Sequence, residues 1–403
     1  MIQSVRHDYN AAFSPERYQA FLDTIQRSFP NQLDFRVAET PVFVPKPLTD
    51  KLLRACDDIV TVLTRPDFMA LTEQAIPAEQ RVPNEPAAGP DAHTQFLAVD
   101  FAVCRDDTGE LIPQLIELQG FPSLYGFQPY LAEQFRAHFP VPNNLSHLFN
   151  VDTNAEYIER LRDLIVGDCN PEDVILLEIY PEKQKTRIDF ALTEHYLGVK
   201  AVCLTTIRKQ GRQLFYERDG RTILIKRIYN RLIFDDLQNF PDLKTEFHLT
   251  DDVDVEWVGH PNWFFRISKY TLPLLNSPFV PPSYYLSDLT EYPTDLDEYV
   301  LKPLFSFAGS GVKLHITPAD LDAIPAEQRG GYLLQRKVQY EPAIQALDGV
   351  VKCEIRMLFI WPKGDARPTL LTNLSRLSRG EMIGVRFNKD FDWVGGTVCF
   401  FEQ

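Results

Sequence analysis

The sequence predicts a mixed α/β fold of α+β type, in which a doubly wound parallel-sheet unit lies beside a body of antiparallel strands. Three observations carry this. Residues 151–250 alternate in pattern: a helical period over 154–166, the apolar run DVILLEIY at 173–180, a second helical period over 186–197, then KAVCLTTI at 200–207. Strand, helix, strand at this spacing implies a parallel crossover, with a ligand crevice at the carboxyl ends of the strands. The runs FLAVDFAVC (96–104) and LIPQLIELQG (111–120), joined by the turn-forming RDDTGE, read as an antiparallel hairpin. Residues 251–403 are mostly strand-like, with one helix expected near 267–276 and another in TPADLDAIP.

The remaining elements follow in order. Apolar residues return every three or four positions over 14–29 and 47–66, which predicts two helices, and a polar loop rich in Pro and Ala spans 76–93. Two short strands around ERDGR (217–221) predict a second hairpin that feeds LIKRIYNRLIFDDL at 224–237. The C-terminal DFDWVGGTVCFF reads as a core strand after a glycine turn. Three regions result: 1–150 with the first hairpin, 151–250 as the doubly wound unit and 251–403 as a nucleotide-binding region. There is no internal repeat or low-complexity segment.

Composition bounds the function. The 403 residues are 44% hydrophobic, enough for two or three cored domains, and the net charge of −15 argues against a nucleic-acid partner, which needs a basic face. The opening MIQSVRHDYN lacks the basic-then-apolar order of a secretory signal, and no run approaches the ~18 apolar residues of a membrane span. A cytoplasmic protein is expected. Cys56, Cys104, Cys169, Cys203, Cys353 and Cys399 are scattered singly, which favours reduced, mostly buried thiols over a zinc site or a disulfide framework. The histidines form no HxxxH or HExxH pattern, and no GxSxG elbow occurs.

The stretch YVLKPLFSFAGSGV (299–312) carries the strongest chemical signal. An apolar strand delivers Lys302, Pro303 stops it, and Gly309-Ser310-Gly311 follows. A lysine cation beside small residues, whose amides can close on phosphate oxygens, reads as a triphosphate clamp. It is not a P-loop, because the lysine precedes the glycines. The alternative is a glycine turn with a surface lysine. On the first hairpin, Asp100 and Glu117 interrupt apolar runs, and the period of two sets Glu117 and Gln119 on one face. Two carboxylates and an amide oxygen suit Mg²⁺. Solvent-facing positions on a half-exposed hairpin are the alternative.

In their order, LIELQGFPSLYGFQ (115–128), HPNWFFRISKYTLPLL (260–275) and YVLKPLFSFAGSGV resemble the synthetase domain of glutathionylspermidine synthase and its circularly permuted ATP-grasp relatives. YLLQRKVQY (332–340) and CEIRMLFIW (353–361) also resemble ATP-grasp segments, so the likeness runs through most of the chain after residue 95. It implies a permuted ATP-grasp fold with an antiparallel-sheet nucleotide clamp, in which the metal acids precede the nucleotide lysines. It further implies that Asp100, Glu117 and Gln119 hold Mg²⁺, with Gln119 standing where the family usually has Asn. Lys269 and Lys302 would contact ATP phosphates beside the Gly309, Ser310 and Gly311 loop. Backbone of Arg336, Lys337 and Val338, just after Gln335, would receive the adenine edge. Arg356 would face the terminal phosphates, and Arg376, Arg386 and Asn388 the acyl-phosphate intermediate, with Arg379 at the surface.

The implied activity is that of an ATP- and Mg²⁺-dependent carboxylate–amine (or carboxylate–thiol) ligase, forming ADP through an acyl phosphate. Its partners would be a small-molecule carboxylate and an amine. Arg227 and Arg231, four residues apart, share a face on helix or strand and are expected to receive the acid substrate, an amino acid or short peptide. The alternative for them is pairing with Asp235 and Asp236. Departures from the family pattern stand beside the likeness: Ala98 replaces an arginine directed at the reacting phosphate, SFAGSGV lacks an Arg-Glu pair, and no amidase domain is present. They keep open a non-catalytic nucleotide-binding protein of this descent, and an ATP-grasp phosphotransferase.

Overall fold

The computed structural model describes residues 1–87, 89, 91–305, 311–384 and 387–403. At its centre an antiparallel sheet runs in the order Gly395–Thr397, Thr369–Ser378, Gly349–Ile360, Phe96–Arg105, Leu111–Gln119, with Ile344–Ala346 paired to the start of Gly349–Ile360. The predicted hairpin is therefore two strands of a sheet completed by the C-terminal region, and 1–150 and 251–403 share one sheet. The reason lies in the Phe96–Arg105 strand, buried along its length except at Arg105. Its odd-numbered residues Leu97, Val99, Phe101 and Val103 pack with Leu48, Leu52, Ile59 and Leu131 of the helices Lys46–Leu63 and Phe127–His138. Its even-numbered Phe96 and Ala98 pack on the parallel unit. The alternation places Asp100 on that second face.

The parallel unit has the order Glu256–Val258, Arg227–Asn230, Val174–Glu178, Lys200–Cys203, so it draws its last strand from beyond residue 250. Tyr157, Leu161 and Leu164 of helix Asn154–Ile165, with Phe190 and Leu197 of helix Arg187–Leu197, cover Val174 and Leu176 on one face. The other face departs from the doubly wound expectation. Ile175, Leu177 and Val202 lie under Leu214, Tyr216 and Ile225 of a three-stranded meander, with Phe234 and Phe265. Turn chemistry explains this: Asp219 (φ 52°) and Gly220 (φ 73°) form the left-handed pair that closes a tight hairpin, so the connection folds back as strands.

A third, antiparallel sheet of Ser283–Tyr285, Tyr332–Arg336 and Tyr299–Pro303 has its own small core of Leu286, Leu296, Leu301, Ile316, Leu321 and Leu334. Thr317 and Asp320 form a reciprocal cap on the short helix Pro318–Asp322. The single helix expected near 267–276 is instead a helical turn Trp263–Arg266 followed by a 3₁₀ segment Lys269–Leu274. The amide of Gly120 takes the carbonyl of Ile267 at 3.0 Å, and the Ser268 hydroxyl caps the new segment at Tyr270. No helix among the described residues is long and apolar enough to cross a membrane.

Candidate functional site

Strand register assembles the site. Asp100 stands opposite Glu117 on one neighbouring strand and opposite Arg356 on the other, and Glu354 stands opposite Arg376. A bulge after Asp100 skips Ile116, which frees its carbonyl to accept from the Lys302 ammonium at 3.3 Å. Lys302 comes from the third sheet, where it also donates to the Gln335 side chain at 2.5 Å. Lys269 enters from the 3₁₀ segment. The lysine clamp and the carboxylate hairpin, nearly two hundred residues apart in the chain, thus meet in one buried cluster.

Within it, the Arg356 guanidinium donates from Nε and Nη2 to the two oxygens of Asp100 at 2.5 and 2.6 Å, a fork-to-fork pair. Arg376 adds a bond to Asp100 at 3.1 Å and pairs with Glu354. Tyr340 donates to the second oxygen of Glu354 at 2.9 Å. The Gln119 amide donates to Glu117 at 3.0 Å. Lys269, Lys302, Arg356 and Arg376 face Asp100, Glu117 and Glu354, an excess of one cation, with Glu117 and Arg376 partly open to solvent.

The titration of these groups reflects that balance. Burial pushes the Glu117 carboxyl up, but Lys269, Arg376, Arg356 and Lys302 together overcome it and hold the group below its ordinary value, ionised at neutral pH. Burial, opposed by Arg376 and reinforced by Asp100 and Glu117, leaves Glu354 above its ordinary value. Burial draws the Lys302 ammonium down to about 8, against the pull of Glu117. It also lowers Lys269, whose counter-charges are Glu117 and Asp235.

Three polar atoms of the cluster, Gln119 Oε1, Gln335 Nε2 and Arg376 Nε, are buried without a hydrogen-bond partner. Buried polar groups are ordinarily paired, so orphans gathered at one place mark where an occupant would bond. The chemistry fits a metal–phosphate occupant: Glu117 and the orphaned Gln119 oxygen are hard donors for Mg²⁺, and the cation excess suits phosphate oxygens. Asp100 fits less well, since Arg356 and Arg376 already occupy both of its oxygens. No group of three His, Cys, Asp or Glu side chains poised for a metal occurs among the described residues. A cavity of about 20 Å³, lined by Glu117, Gln119, Phe121, Phe264, Lys269 and Phe305, adjoins the cluster. Roomier grooves lie elsewhere, one of about 550 Å³ around Arg227, Glu256 and Lys363 and one of about 620 Å³ around Gln114, Tyr284 and Lys337.

The other expected residues fall as follows. Gly309, Ser310 and Arg386 lie outside the described residues. Gly311 has φ +69°, and a Cβ there would meet Pro303 Cγ at 2.8 Å, so position 311 favours glycine. The amides of Arg336 and Lys337 are already bonded to the carbonyls of Pro282 and Glu298 at 2.8 and 2.7 Å, and their side chains turn to Asp295 and Asp297. Those two amides do not offer themselves to an adenine edge; Val338 follows them, half-buried. Asn388 is corrected from substrate ligand to structural tie: its oxygen accepts from Ser378, Arg379 and Gly380, and its amide donates to Met382 and Gly384, so the turn uses it fully. Arg379 pairs with Asp348.

Arg227 and Arg231 do not act together. They flank one strand at opposite ends, about 13 Å apart at the usual rise, so a shared face did not bring them to one point. Arg227 donates to the Leu164 carbonyl at 3.1 Å and lies 3.4 Å from Glu256, while Arg231 bonds to Pro122 and lies over Phe190. Glu354 and Tyr340 were not singled out from sequence. Only for Glu354 was a signal present, its position two before Arg356 on the same strand face.

No protein-family model and no curated protein matches this chain. Its fold is similar to a solved structure, that of a glutathione synthetase-like effector from Globodera pallida in its apo form, with a TM-score of 0.57 and 10% identity over 97% of this chain and 98% of the other. The chain has a glutathione synthetase-like α+β fold.

Proposed function

We propose that the protein binds Mg·ATP in the Asp100–Lys302 cluster and joins a carboxylate to an amine or thiol through an acyl phosphate, as a circularly permuted ATP-grasp ligase. The observation that supports this is the convergence on Glu117 of Lys302 from the third sheet, Lys269 from the 3₁₀ segment and Arg356 and Arg376 from the central sheet. When bound, Mg·ATP would supply the phosphoryl group that activates the acid. The chain's own part is electrostatic. Lys302, oriented by Gln335, and Lys269 neutralise phosphate charge, Arg356 is fixed in place by its two bonds to Asp100, and Arg376 is steadied by Glu354. Such groups stabilise a transition state because they need not reorganise. Glu117 and Gln119 would hold the metal. The reading carries a cytoplasmic location and small-molecule partners with it.

Calorimetry with a non-hydrolysable ATP analogue is expected to show Mg²⁺-dependent binding that Lys302→Ala removes. Incubation with ATP and a library of carboxylates and amines, read by product mass, is expected to give a condensed product with ADP and phosphate. Absence of analogue binding to folded protein up to millimolar concentration refutes the reading. A second reading, a nucleotide-binding protein of ligase descent without catalysis, is favoured by the closure of Asp100 onto two arginines and by Ala98. It predicts analogue binding with no product. A stable phosphorylated product would instead indicate a phosphotransferase.

A further inference from the structure

The groove of about 550 Å³ around Arg227 lies at the amino ends of the parallel strands, opposite the end where open α/β sheets usually place their ligands, and its volume is that of a small-molecule site. It stands apart from the phosphate cluster. Ile360, which lines it, is four residues beyond Arg356 on one strand, about 13 Å at the usual rise. Leu164, Ile360 and Leu371 give it an apolar lining that continues into the core between the parallel unit and the central sheet.

Charges of both signs line the groove without cancelling. The Arg227 side chain is 12% exposed, and only its Nη2 is tied, to the Leu164 carbonyl at 3.1 Å. Glu256 comes within 3.4 Å of Arg227 Nε, but Lys363 draws it off by holding its other oxygen at 2.6 Å, and Nε is left buried without a hydrogen bond. A buried donor of this kind is ordinarily paired. Gly167, with φ +56°, makes room for the guanidinium, since a Cβ there would collide with Nη1. The arginine therefore crosses the turn between Asp163 and Asp168, yet pairs with neither. Both acids line the groove, are exposed, and belong to no ion pair among the described residues. Asp163 lies in the last turn of helix Asn154–Ile165 and Asp168 just beyond it, where the helix dipole disfavours an anion and favours a cation.

We propose that this groove binds a small zwitterion, an amino acid or dipeptide with an apolar side chain, its carboxylate at Arg227, its ammonium at Asp163 and Asp168, and its side chain over Leu164 and Leu371. A dipolar ligand answers both unmatched signs at once, which a plain anion or cation cannot. The site does not rest on the ligase reading, and it takes Arg227 out of the ligation centre.

The test is calorimetry on the full chain without nucleotide, with L-leucine and glycyl-L-leucine as probes. Isocaproate, which lacks the ammonium, and isoamylamine, which lacks the carboxylate, are the controls. At least one zwitterion is expected to bind, with each control weaker by about tenfold or more, the loss of one charge-assisted contact. Arg227→Gln and the double variant Asp163→Asn/Asp168→Asn should each weaken it about tenfold, and Thr369→Trp, which narrows the groove from its wall, should abolish it. A variant counts as folded when its thermal midpoint stays within about 2 °C of wild type. If Arg227→Gln fails that check, the other two decide, since the acids are exposed and their loss relieves the helix dipole. The proposal is overturned if neither zwitterion binds up to about 20 mM, if either control binds as tightly as the zwitterion, or if binding ignores every folded variant.

Discussion

Asp100→Asn is the substitution whose cost follows most directly from the structure. Asp100 is 1% exposed and accepts both prongs of the Arg356 fork, with a third bond from Arg376. Asparagine keeps the size but replaces one acceptor oxygen with an amide whose hydrogens face a guanidinium. Arg356 would then keep Glu117, 3.8 Å away, as its nearest remaining counter-charge. Removing one member of a buried pair costs about 3–5 kcal/mol, because the survivor stays buried and uncompensated. For 403 residues the unfolding entropy is about 0.85 kcal/mol/K if the chain melts as one unit, so the midpoint should fall by about 4–6 °C. Differential scanning calorimetry, with urea titration as a check, measures this. The double variant Asp100→Leu/Arg356→Met should recover most of the loss, since it removes both charges and leaves neither stranded. A fall of less than about 1 °C in Asp100→Asn would show that Arg356 does not depend on Asp100 and would refute the account of the pair.

Lys302 should give the site a pH dependence. Its ammonium is held at about 8 rather than 10.5 by burial, so between those values the unfolded chain binds the proton that the folded chain has lost, and wild type should gain stability relative to Lys302→Met as pH rises through that window. Over the same rise, analogue affinity should fall in wild type, as read by calorimetry from pH 7 to about 9.5. Gly120→Ala should destabilise by about 1–3 kcal/mol in urea unfolding, because its Cβ would meet the Trp263 carbonyl oxygen at 2.6 Å and Ile267 Cβ at 2.9 Å in the segment that presents Lys269. Asn388→Ala should cost about 1–3 kcal/mol through lost bonds in the 378–388 turn and leave analogue affinity unchanged; a loss of binding would return it to the site.

By itself the sequence determined the local elements and the residue types of the cluster. Helical periods at 14–29 and 47–66 became Pro15–Ser28 and Lys46–Leu63, and the hairpin became Phe96–Arg105 and Leu111–Gln119, because apolar period and turn chemistry act within a few residues. Asp100, Glu117, Lys269, Lys302 and Arg356 were legible as charges set in apolar runs, which burial makes conspicuous. What lay between distant segments was not. That Asp189 caps the helix Phe127–His138, that Glu354 and Tyr340 steady Arg376, and that Arg227 and Arg231 part to opposite ends of a strand are consequences of packing. Only the tertiary structure decided which polar groups are satisfied within the protein, as Asp100 and Asn388 are, and which oxygens, as in Gln119 and Asn230, were left without a donor. A hydrogen bond or ion pair depends on distances of a few ångströms, and those are set by the whole fold rather than by neighbours in the chain.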